Sequence, residues 1–210
     1  MNEKRRALVV GANGFIGSHL VDELARIGLE VTAFDRFSAG TQTFTSDARQ
    51  VKGDFLNRDD LRDALEGQQV LFHFLSTSNP ATAEKDPTFD VRTNVLQTIE
   101  LMNLAVEAGI EHVYFASTGG AIYGDSGRDR YAEDAPTLPI SPYAIGKLSI
   151  ENYLRYFTVR FGIPTTSFRI SNPFGPRQHI DRKQGLIPIV LRQVAQGQTV
   201  TQLGDGSMVR

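Results

Sequence analysis

Cysteine is absent from this 210-residue chain, which excludes disulfides, thiolate nucleophiles and cysteine-held metals. The four histidines, His19, His73, His112 and His179, show no metal-ligand spacing, so no bound metal is expected. Neither sign of charge dominates. Lys plus Arg number 22 against 24 for Asp plus Glu, so no bulk field draws in nucleic acid or an anionic membrane surface. No apolar run approaches membrane-spanning length, and the run behind the basic start is cut short by Gly11 and Gly14, unlike a signal peptide. The expectation is a cytoplasmic protein without nucleic-acid or membrane partners. With 40% hydrophobic residues the chain can build one well-buried domain and the beginning of a second.

What is present starts with Ala7–Val10, a β-type apolar run that empties into Gly11, Gly14 and Gly17, three apart, and then into a helical pattern through Ile16, Leu20 and Leu24. Strand, glycine turn and helix in that order suit a dinucleotide site. Gly11 lets the chain leave the strand, Gly14 lets backbone approach a pyrophosphate, and Gly17 lets helix and strand pack closely. The free N–H groups of the helix start then face the anion. An ordinary tight turn also uses glycine, and context separates the two readings.

Glu30–Phe34 reads as a second strand ending at Asp35, about 20 residues beyond the glycines, where an acid binds ribose hydroxyls in such folds. A carboxylate there favours NAD over NADP, whereas Arg36 could accept a 2′-phosphate or stack on adenine. Asp35 could also be a simple turn cap. Val51–Gly53 is a short strand with Asp54 and Phe55 at its carboxyl end, where Asp54 could accept from the adenine amino group. Asn57 caps a short helix. Val70–Leu75 reads as a central parallel strand, with His73 a core histidine, and it opens into the polar loop Ser76–Pro80. Phe89–Ala108 reads as one helix, apolar on more than one face, in which Asn94 ties neighbouring backbone together.

A fifth strand, His112–Ala116, delivers Ser117 and Thr118 to the ligand edge. After a long polar loop, Ser141 caps a helix with Pro142 at its first position and with Tyr143 and Lys147 four apart on one face. An ammonium beside a phenol favours the phenolate, and a nicotinamide cation nearby does the same, so Tyr143 could act as a base near neutral pH, with Thr118 or Ser117 holding the same substrate oxygen. A solvated Tyr and Lys on a helix surface is the competing reading. Thr165–Ser171 is expected as strand six, Leu186–Gln196 as a helix, and Thr199–Leu203 as a strand before a hairpin-type turn at Gly204–Ser207.

These pieces together, with Gly53-Asp54, Tyr123-Gly124 and Asn172-Pro173-Phe174-Gly175-Pro176-Arg177-Gln178, resemble the extended short-chain dehydrogenase/reductase family along essentially the whole chain. The similarity is to its NAD-dependent sugar-nucleotide epimerase/dehydratase branch. It implies an α/β fold, a doubly wound parallel sheet (Rossmann fold), with a dinucleotide-binding domain over residues 1–172. Residues 173–210 would begin a substrate-binding lobe that stops short of the family's usual length. For the cofactor, the resemblance implies contacts from Gly11, Asn13, Gly14, Phe15 and Ile16, and from Asp35, Arg36, Ser38 and Gly40. Asp54, Phe55, Leu75, Ser76, Thr77, Asn94, Ser117 and Pro173 complete that wall. It makes Tyr143 the base, Lys147 the holder of the cofactor ribose, and Thr118 the group polarising the sugar hydroxyl. Gly119, Asn172 and Arg210 would meet a nucleotide-sugar substrate.

Dehydratases and decarboxylases of this branch resemble one another in an acidic residue between the catalytic threonine and the following tyrosine. Here Gly119-Gly120-Ala121 stand there, pointing to an epimerase at carbon 4 of a nucleotide-linked hexose of the UDP-glucose/UDP-galactose kind. A sugar-nucleotide reductase or dehydratase, or a non-catalytic NAD(P)-binding protein, are the alternatives. The apolar faces of helices 89–108 and 142–161 are expected to form a homodimer.

Overall fold

The computed structural model describes residues 4–38, 42–125, 130–178 and 185–202. Six parallel strands form one sheet: β1 (Arg6–Val10), β2 (Glu30–Asp35), β3 (Arg49–Lys52), β4 (Val70–His73), β5 (His112–Thr118) and β6 (Thr165–Ile170). Their order is β3-β2-β1-β4-β5-β6. The order reverses between β1 and β4, so the crevice for a ligand opens at the carboxyl ends of these two strands.

Strand β1 shows why the sheet is buried on both faces. Leu8 and Val10 join Phe34, Leu71 and Phe115 in one core cluster, which is filled from outside by helices α2 (Arg58–Leu65), α5 (Gln97–Glu107) and α6 (Pro142–Phe161). Ala7 and Val9 point the other way, against Val21 and Leu24 of α1 (Phe15–Arg26). Alternation by two puts successive side chains on opposite faces, and each fully buried Leu or Phe contributes about 1.5–3 kcal/mol. On the α1 side of β4–β6, Phe72, Tyr114 and Phe168 stack with centroids 4.7 and 5.8 Å apart.

The expected helix over 89–108 is built differently. A short α4 (Pro87–Asp90) passes into a π turn at Val91–Leu96 before α5 resumes the α-helix. Apolar periodicity cannot tell these backbones apart, because each keeps one face on the sheet. A further helix, α3 (Pro80–Lys85), lies in what the sequence presents as loop, started by a capping box between Asn79 and Thr82. Strand β4 ends at His73, two residues early, because Phe74 and Leu75 turn over the glycine loop.

Helix α6 begins and ends as its sequence predicts, with the Ser141 hydroxyl accepting from Ala144 N at 3.3 Å and Gly162 closing it in the left-handed region. Helix α7 (Leu186–Ala195) buries none of its residues. Thr199–Gln202 is not a strand, since no described strand lies beside it to share a ladder, and Leu203 lies outside the described residues. Gly40, Arg210 and the turn at 204–207 also lie outside them. No helix among the described residues is long and apolar enough to cross a membrane.

Candidate active site

The glycine turn is fixed from three sides. Gly11 has φ +87°, and a Cβ there would come within 2.7 Å of Leu75 N, so only glycine fits against the segment that follows β4. Its N–H and that of Ala12 both donate to Phe34 O, at 3.0 and 3.2 Å. A Cβ on Gly17 would collide with Gly11 O, so α1 packs as closely on β1 as its sequence predicts. No side chain caps α1 at Gly14 and its first turn holds no acid. The leading N–H groups at Phe15 and Ile16 are therefore available to an anion, as a pyrophosphate would require.

Asp35 joins the two readings that its position allows. Its Oδ2 accepts from Asn13 N at 3.0 Å, inside the glycine turn, while Oδ1 accepts from Arg36 N at 2.7 Å and Phe37 N at 3.4 Å. The carboxylate caps the turn and stands beside the glycine loop at once. Thr43, which no spacing rule singles out, donates to Asn13 Oδ1 from both its N–H and its hydroxyl at 2.8 Å. Arg36 and Ser38 are exposed beside it.

Across the crevice, Asp54 Oδ1 accepts from Leu56 N at 2.9 Å, and Phe55 is buried in the core, 5.2 Å from the His73 ring. The Phe55 side chain therefore serves packing. Asn94 ties backbone as expected: its Oδ1 accepts from Thr77 N at 2.9 Å, and its Nδ2 donates to Ser78 Oγ and Asp90 Oδ1, both at 2.9 Å. Ser76 is exposed on this loop and Leu75 half-buried.

The end of β5 brings Thr118 to the same edge as α6. Lys147 is buried, donates to Ala116 O at 2.9 Å, and its Nζ stands 4.7 Å from the Phe115 ring and 5.7 Å from the Tyr143 ring. The pair is therefore no solvated helix surface. Burial pushes the Lys147 ammonium down to about 8, against the field of Asp90, which raises it. At Tyr143 burial outweighs the neighbouring ammonium. Burial, aided by the Asp90 charge, pushes its phenol up to about 12, so the nearby ammonium does not make a phenolate in the cofactor-free chain.

Ser117 turns its hydroxyl to the Glu151 carboxylate on α6. Glu151 is also gripped by Arg169 of β6, through Nε at 3.2 Å and NH2 at 2.9 Å, and Arg169 NH1 donates to the Tyr123 hydroxyl at 2.8 Å and Glu133 O at 2.6 Å. Sequence reasoning missed Glu151 and Arg169. The only signal was Glu151 standing one turn beyond Lys147.

Asn172 and Pro173 are exposed just past β6. The segment behind them folds back onto α1, where Pro176 O lies 3.0 Å from His19 Nε2 and Arg177 donates to Ser18 O at 3.0 Å and Asp22 Oδ2 at 2.7 Å.

With this geometry, residues 7–210 match the model of the NAD dependent epimerase/dehydratase family. The chain belongs to this family. A UDP-glucose 4-epimerase of Mycolicibacterium smegmatis is 34% identical over 212 residues, covering 98% of this chain and 68% of that protein. Among solved structures, a UDP-glucose 4-epimerase from Thermotoga maritima with UDP-glucose superposes with a TM-score of 0.88 at 32% identity. That likeness covers 96% of this chain and 66% of the other. A dTDP-glucose 4,6-dehydratase from Streptomyces venezuelae with NAD bound gives 0.83 at 30% identity, over 96% of this chain and 66% of the other. The chain spans about two thirds of the length of these relatives. NAD is the family's cofactor, and the uncapped first turn of α1 with Asp35 beside it suits that group.

Proposed function

We propose that this chain carries the NAD site and the catalytic residues of a nucleotide-sugar epimerase acting at carbon 4 of a hexose, of the UDP-glucose/UDP-galactose kind. The observation that carries this reading is Gly119-Gly120-Ala121 behind Thr118. Elimination or decarboxylation needs a further acid or base there, whereas epimerisation needs only reversible hydride transfer and one base. NAD, when bound, supplies the hydride acceptor. Tyr143 takes the proton of the sugar hydroxyl and later returns it, and Thr118 donates a hydrogen bond to the same oxygen. Lys147 holds the cofactor ribose. Because Tyr143 keeps its proton in the cofactor-free chain, the base is armed only when positive charge is added at the site.

In this reading residues 1–172 form the dinucleotide-binding domain and residue 173 begins the substrate side, with Gly119, Asn172 and Arg210 meeting the nucleotide sugar. A homodimer belongs to the same reading. Val91 and Ile145 are about half exposed beside a groove of about 390 Å³ between the π turn and α6, an apolar face suited to a second copy. A monomer by light scattering at micromolar protein would remove that part.

The test is product analysis of the protein carrying this chain, incubated with NAD and UDP-glucose. UDP-galactose without net NADH is the expected result. A 4-keto-6-deoxy product would make it a dehydratase, and stoichiometric consumption of NAD(P)H a reductase.

A further inference from the structure

Asp90 is a carboxylate that the chemistry above does not use, and it is only 2% exposed. It closes α4 where the chain enters the π turn. Its Oδ1 accepts from Asn94 Nδ2 at 2.9 Å and from the Ser78 hydroxyl. Its Oδ2 lies against Gly146 of α6, where a Cβ would collide with it. Glycine inside a helix costs about 0.5–1 kcal/mol relative to alanine. Here the missing Cβ leaves room for the carboxylate to approach the residue next to Lys147.

An ionised carboxylate out of water needs more than two neutral donors. The nearby cation is Lys147, 5% exposed, whose one hydrogen bond among the described residues is to Ala116 O. The groups around its ammonium are few. From β5 comes the Phe115 ring, and from α6 itself Tyr143. His73 on β4 feels the Lys147 charge and is held neutral. Glu151, one turn along α6, is taken by Arg169 and Ser117. Asp90 supplies the charge that acts on Lys147.

We propose that Asp90 is a positioning residue of the Tyr143–Lys147 pair: its buried carboxylate is the counter-ion of the Lys147 ammonium and anchors the loop after β4 against α6. The proposal rests on the roles given to Tyr143 and Lys147 above. Through Ser78 and Asn94, Asp90 fixes the loop holding Ser76 and Thr77, and across Gly146 it fixes the turn of α6 from which Lys147 projects. Without this charge, burial alone acts on Lys147, and the ammonium that would hold a ribose is depleted at neutral pH. The arrangement also has a cost, since the same carboxylate opposes ionisation of Tyr143.

The test follows Lys147 itself. In protein labelled with ¹³C-lysine, the signals of Lys4, Lys52, Lys85, Lys147 and Lys183 are titrated by NMR, with Lys147 assigned by its loss in Lys147→Arg. The wild-type midpoint is expected near 8. Asp90→Asn should lower it by about 1 pH unit or more, and Asp90→Glu should restore it toward wild type. A residue that only supports the fold would change the melting temperature and leave the midpoint alone, so an unmoved midpoint in Asp90→Asn overturns the proposal. If Asp90→Asn does not fold, Gly146→Ala keeps the charge but pushes it away from α6. A lowered midpoint then supports the proposal and an unmoved one overturns it. The titration requires neither cofactor nor turnover, so it fails or succeeds separately from the proposed epimerase activity.

Discussion

The Ser117 hydroxyl donates to the Glu151 carboxylate, whereas the hydroxyl of Thr118, the next residue on β5, has no hydrogen-bond partner among the described residues. The pleat turns these neighbours to opposite faces, so one hydroxyl is spent on the fold and the other is left for a ligand. Thr118→Ala should therefore lower kcat by about 10²- to 10³-fold. Ser117→Ala should cost about 1–2 kcal/mol of stability with little change in kcat. Steady-state kinetics and urea unfolding of both variants check this, and the reverse pattern would make Ser117 the working hydroxyl.

Burial and the Asp90 charge push the Tyr143 phenol up to about 12, and the proposed role as base separates its part in chemistry from binding. Tyr143→Phe should leave NAD affinity close to wild type and reduce turnover by about 10²- to 10⁴-fold. Calorimetric titration with NAD, beside product assays, tests both halves. Near-normal turnover would remove Tyr143 as the base.

Asp35 caps the glycine turn, and in the proposed reading its carboxylate faces the ribose hydroxyls and repels a 2′-phosphate. NAD should bind more tightly than NADP, and Asp35→Ser should shift the ratio toward NADP by roughly tenfold or more, with Arg36 exposed beside it. Loss of the Asn13 N–H acceptor should weaken binding of both nucleotides. An unchanged ratio in titrations would show that the carboxylate does not face the ribose.

The glycine turn, Asp35 and the Tyr143–Lys147 pair were legible because each is a fixed spacing inside one strand-turn-helix unit. Helix α6 was legible end to end, since Ser141, Pro142 and Gly162 punctuate it. The network of Glu151, Arg169, Tyr123 and Ser117 was not, because its members come from four separate places in the chain and meet only when β5, β6 and α6 pack. Tyr143 shows a different limit. Spacing identifies its neighbour Lys147, but the sign of its shift is set by burial and by Asp90, which no local pattern connects to it.

Asp22 shows the same kind of distant convergence. Its carboxylate accepts from Thr45 N and Ser46 N, at 2.8 and 2.7 Å, and from Arg177 NH2 at 2.7 Å, joining α1, the loop before β3 and the segment after β6. Burial works to raise its pKa, but the Ser46 and Arg177 hydrogen bonds win and hold the carboxyl well below its usual range. A depressed carboxylate contributes stability above its unfolded pKa that is lost as pH falls. Asp22→Asn should therefore weaken the loss of stability below about pH 4. Arg177→Met should release the segment around Phe174, measured as faster chymotryptic cleavage there. Unchanged cleavage would show that the segment is held by other contacts.

His73 gives the sharpest pH dependence. It is 3% exposed, with its ring 5.2 Å from Phe55 and 5.4 Å from Phe115. Nε2 pairs with Thr98 Oγ1 at 2.9 Å while Nδ1 is buried without a partner, an arrangement that suits neutral imidazole and penalises imidazolium. Burial, with the Lys147 charge added, lowers its pKa from 6.5 to about 3. Between these values the unfolded chain binds a proton that the folded chain refuses, so stability rises with pH through this window and falls as pH drops below 6.5. From pH 7 to pH 5 the loss is about 2 kcal/mol. His73→Gln keeps a polar contact within reach of Thr98 but does not titrate, so its stability should change less over that interval by about the same amount. Urea unfolding of both proteins at the two pH values measures the difference of differences, in which the other titrating groups cancel. Equal pH dependence in the two would mean that imidazolium is tolerated between Phe55 and Phe115, and the neutral core histidine would have to be abandoned.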